Sequence, residues 1–212
     1  MNKKNILALT VLSLMFSSCS VKLAEQEDAS TPAPTLDGTW ATTCMADGGG
    51  SYVKSFKLED GTLSVATLRY DASANCEQAK LSTTVLMSGK FLVTGDGAAE
   101  DVKNYEWQIE MIVGIPYEQT MVDDLNAGSI CGSSSWVAGQ AQILLGCAVG
   151  PGLDLSNVTY GTKHYGAFEI QEDVTPLYMQ FESKCAVAGY GDFCPTESDR
   201  PATFDGTVFY QQ

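Results

Sequence analysis

Residues 105–115 read Tyr105-Glu106-Trp107-Gln108-Ile109-Glu110-Met111-Ile112-Val113-Gly114-Ile115. Apolar side chains stand at 105, 107, 109, 111, 113 and 115, and polar ones at 106, 108 and 110. Successive side chains of an extended chain point to opposite faces, so this alternation predicts a strand buried on one side only. Weaker alternation marks strands at 38–44, 51–58, 62–70, 81–88, 90–95, 141–149, 165–171, 177–183 and 203–210. Turn residues separate them at Glu59-Asp60-Gly61, Ser88-Gly89, Gly95-Asp96-Gly97 and Gly150-Pro151-Gly152. One segment departs from period two. After Pro116, residues Tyr117, Met121 and Leu125 fall at helical spacing, and Gly128 is placed to end a helix over 117–127. Short strands with frequent turns predict an all-β antiparallel barrel or sandwich of about 8–10 strands with one short helix. Closure into a barrel removes the edges that otherwise template aggregation.

The 212 residues are 44% hydrophobic and 18% charged, proportions that fit a packed domain and exclude general disorder. The 26 acidic and 12 basic side chains give a formal charge of −14. That balance argues against nucleic acid or an anionic membrane surface as the main partner.

Lys3 and Lys4 precede a short apolar run, Ile6 to Phe16, followed by Ser17, Ser18 and Cys19. A basic start, a short apolar core and small residues predict a secretory signal over 1–18. The Ser17-Ser18-Cys19 ending resembles the bacterial lipobox, with Phe16 where that motif usually has Leu. The resemblance implies lipidation of Cys19. Ser20 after it resembles outer-membrane lipoproteins, facing either the periplasm or the surface. Ordinary cleavage after Ala24 is the alternative. Residues 19–36, polar with Pro32 and Pro34, are expected to be a tether, leaving one domain over 37–212.

Apart from Cys19, six cysteines remain: Cys44, Cys76, Cys131, Cys147, Cys185 and Cys194. An even count in an exported chain predicts three disulfides, and no C-x-x-C pair points to metal. The connectivity is open on sequence alone, and the nearest-neighbour set Cys44–Cys76, Cys131–Cys147 and Cys185–Cys194 is the preferred expectation.

Leu36-Asp37-Gly38-Thr39-Trp40 opens the first strand, and Gly-x-Trp there resembles the first motif of lipocalins. Further along come Cys44, Tyr52-Val53-Lys54-Ser55-Phe56, Tyr70-Asp71, Cys76, Gly89-Lys90-Phe91, Asn126, Cys131, Trp136, Gly146-Cys147 and Arg200-Pro201. Their order resembles lipocalin-like domains of bacterial envelope lipoproteins. It is similar in pattern to the extracellular domain of the adenomatosis-polyposis-coli-down-regulated proteins. The resemblance implies a lipocalin-like barrel with an apolar interior and no catalytic residues. It also implies a barrel closure in which Arg200 covers Trp40, although Arg200 precedes the last strand.

Candidate chemistry is sparse. The one histidine, His164, is expected at a loop or strand end. No G-x-S-x-G elbow and no second histidine for a zinc site exist. The acidic pairs Glu100-Asp101, Asp123-Asp124 and Glu172-Asp173 are unremarkable in so acidic a chain, and the Asp-Gly turns lack EF-hand spacing. No cofactor and no metal is expected. Tyr105, Trp107, Met111 and Phe56 are the candidate lining of an interior site. The expected function is non-catalytic binding of a small apolar or amphipathic ligand by a membrane-anchored barrel. Alternatives are a filled barrel that contacts an envelope protein through loops 128–136 and 150–164 and, more remotely, an envelope hydrolase built on His164.

Overall fold

The 105–115 run lies within one of the two longest strands of the protein. The computed structural model describes residues 36–71, 75–97, 99, 101–150, 153–156, 158–171, 178–182, 194–200 and 204–212. The signal, Cys19 and all but the last residue of the tether lie outside that set. The strands are β1 (Gly38–Ala41), β2 (Met45–Asp47), β3 (Gly50–Glu59), β4 (Thr62–Asp71), β5 (Leu81–Asp96) and β6 (Val102–Pro116). After helix α1 (Gln119–Ala127) come β7 (Gln142–Ile143), β8 (Ala148–Gly150), β9 (Leu153–Asp154), β10 (Lys163–Gln171), β11 (Tyr178–Glu182) and β12 (Phe204–Gln211).

Eight of these strands close a barrel. The order is β1-β12-β11-β10-β6-β5-β4-β3, and β3 pairs back to β1. Every neighbouring pair is antiparallel. β2 pairs β3, β7 pairs β6, and β8 with β9 forms a separate ribbon. The β3–β4 hairpin turns at Asp60-Gly61, both at positive φ, as a two-residue turn between twisted strands requires. β10 covers Val102–Gln108 of β6. Beyond it the wall continues through Gly161 N–H to Ile109 O, Leu144 N–H to Ile112 O, and β7 against Val113 and Gly114.

Directly paired residues share a face. Trp40 faces Phe56, Phe56 faces Val65, Val65 faces Met87, and Met87 faces Ile112, which traces one ring around the inner wall. The core that this face carries includes Trp40, Phe56, Leu58, Leu63, Trp107, Ile109, Ile112, Phe168, Met179 and Phe209.

Two expectations about strands are corrected. The segments 81–88 and 90–95 form one strand, and Ser88-Gly89 is a β-bulge, not a turn. Gly89 pairs with Ile109 and Ser88 with Met111, so Glu110 is the extra residue on β6. The bulge reverses the alternation. Ile112 is fully buried, while Met111 is 44% exposed on the outer face. Met111 therefore does not line the interior, because period two does not survive an inserted residue. Likewise 141–149 is not one strand: Gly146, at positive φ, interrupts it, and its N–H reaches Val158 O at 2.8 Å.

Antiparallel pairing sends β1, β4 and β6 toward the same end of the barrel, where α1 follows β6. The helix is two residues shorter at its start than expected, and its buried side chain is Val122. Gly128 ends it, donating to Asp124 O at 2.9 Å. The returning chain is held by Asn126. Its Oδ1 accepts from Trp136 N at 2.7 Å, and its Nδ2 donates to Trp136 O at 3.1 Å. Trp136 is buried, and its Nε1 donates to Ile130 O.

Both fully described disulfides have the expected partners. Cys44–Cys76, with Cα atoms 5.7 Å apart, ties the β1–β2 link to the β4–β5 link. Cys131–Cys147, at 5.1 Å, ties the turn after α1 to the chain after β7. Cys194 is disulfide-bonded, and Cys185 lies outside the described residues.

The bulge makes Gly89 the residue least able to change. A Cβ there would run into the Gln108 carbonyl and stand 2.9 Å from Ile109 Cα, both backbone atoms that cannot swing aside. Gly89→Ala is expected to cost about 2–3 kcal/mol, at the upper end of overpacking. Urea unfolding of the two proteins measures it.

Candidate ligand site

Along the inner wall some side chains are fully buried and others only partly. Trp40, 1% exposed, stacks on Phe56 with ring centroids 5.9 Å apart, and Phe56 meets Phe209 edge-on at 5.2 Å. Trp40 Nε1 donates to Leu36 O at 3.3 Å. Such ring pairs fill space and fix orientation. Phe56 is therefore core packing beneath Trp40 and has no free face to offer a ligand.

Arg200 does not cover Trp40. Its guanidinium lies over Tyr165, 5.6 Å from the ring centroid, with Nη1 on Glu197 at 2.9 Å and Nη2 on Thr94 Oγ1 at 3.1 Å. Tyr165 alternates with inward His164 and Gly166 along β10, so Arg200 sits on the outer wall and Trp40 on the inner one. Cys194, in the described stretch 194–200, lies along the edge of β10, with Tyr165 N–H donating to Cys194 O at 3.0 Å. A lipocalin-type closure needs the arginine within the last strand. Here it stands four residues before β12 begins.

Other side chains face inward yet are only partly buried. Phe91, Val93 and Tyr105 form one set, and Val65, Val85 and Met87 another; all pack on the core without being buried. In a closed barrel, solvent reaches an inward side chain only through the interior and its mouths. Phe91 and Tyr105 stack at 5.0 Å, and both lean on buried Phe168, at 6.1 and 6.3 Å. Beside them Trp107 lies opposite Phe91 on one side and opposite His164 on the other.

His164 is thus an interior residue of β10 and not a loop residue. It is 5% exposed, with its ring 6.3 Å from that of Trp107. The signal was present in sequence: His164, Phe168 and Ile170 share one parity, and Phe168 and Ile170 are plainly apolar. Burial pushes its pKa down to about 4, so the ring is neutral at pH 7.

At the α1 end, a groove of about 330 Å³ lies between the rim of β4 and the helix. Its lining mixes Asp71, Glu118 and Asp124 with Met121, Leu125 and Ile130. Among the described residues, no group of three or more His, Cys, Asp or Glu is arranged to hold a metal ion.

Comparison of the chain with protein-family models returns no match, and comparison with curated proteins returns none either.

The lowered His164 pKa has a definite pH signature. The unfolded chain takes a proton near pH 6.5, whereas the native chain refuses it until about pH 4. The protein is expected to lose up to about 3 kcal/mol of stability as pH falls through that window, from this group alone. His164→Gln removes a titrating group, so the difference in unfolding free energy between the two proteins should change between pH 6.5 and 4 and be flat above it. Equal pH profiles would show a histidine that titrates normally.

Proposed function

We propose that this chain is a non-catalytic binding protein of the bacterial envelope. In this reading Cys19 carries a lipid anchor, residues 19–36 hold the domain off the outer membrane, and a lipocalin-like barrel takes up a small apolar or amphipathic ligand. The observation that carries the reading is the partly exposed inward set, Phe91, Tyr105, Val93, Val65, Val85 and Met87, packed on the apolar core of a closed barrel. Apolar surface left wet inside a barrel is stabilised by any apolar guest, at about 25 cal/mol per Å² removed from water. The disulfides fit an oxidising compartment such as the periplasm or cell surface. The cluster at Trp40, Phe56 and Phe209 confines the guest to the remaining space.

A second reading, a protein-interaction lipoprotein, draws on the outer surface. Ile143 is 70% exposed and Tyr160 73%, both large apolar groups on the face away from the core. The two readings part on a single experiment. The lipid-anchored protein, purified from the envelope, is expected to retain an apolar molecule in native mass spectrometry or to take up a fluorescent fatty-acyl probe. A bare protein after exposure to membrane lipids, with no probe uptake, would reject the carrier reading in favour of the interaction protein.

A further inference from the structure

Trp107 is 6% exposed, yet among the described residues no protein acceptor lies within hydrogen-bonding distance of its Nε1. A buried donor left without an acceptor is costly, and a phenylalanine of similar shape avoids the cost. The indole faces the barrel interior at the level where Phe91 and Tyr105 are partly exposed, and His164 stands opposite it on β10. Polar groups of this kind orient a guest within an apolar pocket.

We propose that Trp107 is the polar anchor of the interior site, and that its ligand is an apolar chain bearing one neutral hydrogen-bond acceptor, a carbonyl or ester oxygen, which takes the indole proton. The inference rests on the carrier reading above and specifies the ligand class for it. The apolar part of the ligand lies along Phe91, Tyr105 and Val93.

Charge distribution favours a neutral acceptor over a carboxylate. Lys103, which shares the inward face of β6, is paired with Asp96. Lys163, beside His164, points outward to Glu106 at 2.9 Å. Arg200 is outside the wall on Glu197. An anion at Trp107 would find these nearby cations already committed, and a buried charge without a partner is strongly unfavourable. His164, held neutral by burial, adds no positive charge at pH 7.

The test uses three chains of matched length, dodecane, dodecan-2-one and dodecanoic acid, against the full-length lipid-anchored protein and its Trp107→Phe variant. The ketone is expected to bind the parent about tenfold more tightly than the variant, a typical loss for a buried donor's partner. Dodecane should bind both equally, which separates the hydrogen bond from any change in packing. The indole N–H resonance of Trp107 should move with the ketone and stay with the alkane. Equal ketone affinity in the two proteins, or a stationary indole resonance, overturns the anchor while leaving the carrier reading intact. Tighter binding of the acid than of the ketone at pH 7.5 overturns the neutral class. Failure of all three to bind the parent overturns both the anchor and the carrier reading.

Discussion

Strand β1 is four residues long, and both of its edges are hydrogen-bonded. On one side Trp40 and Ala41 pair with Gln211 and Tyr210, and on the other Gly38 to Ala41 pair with Leu58 to Ser55. Without β1 the sheet would be open, with β3 and β12 as long exposed edges of the kind that recruit other chains. So short a strand contributes few hydrogen bonds of its own. Its hold comes from Trp40, whose ring stacks on Phe56 and whose indole N–H reaches back to Leu36. The apolar core and the closure of the barrel therefore meet at one side chain.

That arrangement divides the interior. Rings near Trp40 pack on one another and leave no face for a guest. Elsewhere on the inner wall Phe91 and Tyr105 are only partly buried. The α1 end is finished by chain that is fastened twice, covalently at Cys131–Cys147 and through the paired hydrogen bonds of Asn126 with the Trp136 backbone. Asn126 there does what a neighbouring strand would do, meeting a backbone N–H and C=O with one amide. Fastening at that end and packing around Trp40 leave Phe91 and Tyr105 of the inner wall outside both arrangements.

The barrel class, the strands around Trp107 and two disulfides were legible because each rests on local pattern. Period two is written plainly in 105–109, and nearest cysteines sit on adjoining links of one barrel end. What failed depended on features that local pattern does not encode. Gly89 looks like a turn because glycine is common in turns, and only the approach of the Gln108 carbonyl shows that it serves a bulge. The consequence reached Met111, two positions past the pairing shift, which the same alternation had placed inside. Order along the chain matches Arg200 to Trp40, but order does not say on which face of a wall a side chain lies. Residue type places His164 in a loop, whereas its parity with Phe168 places it inside, opposite Trp107.

Pairing of β1 with β12 joins residues 38–41 to residues 204–211, nearly the whole length of the domain. Contacts so distant in sequence form late, because the chain must surrender the entropy of a very large loop before they repay it. During synthesis, the partner that closes β1 on one side does not exist until residue 211 has emerged. Up to that moment the sheet has an unsatisfied edge and cannot reach its closed form. For the exported protein proposed above, this delay would keep the chain in the unfolded form that translocation requires. The β1–β12 seam therefore leaves the sheet open until the last strand arrives.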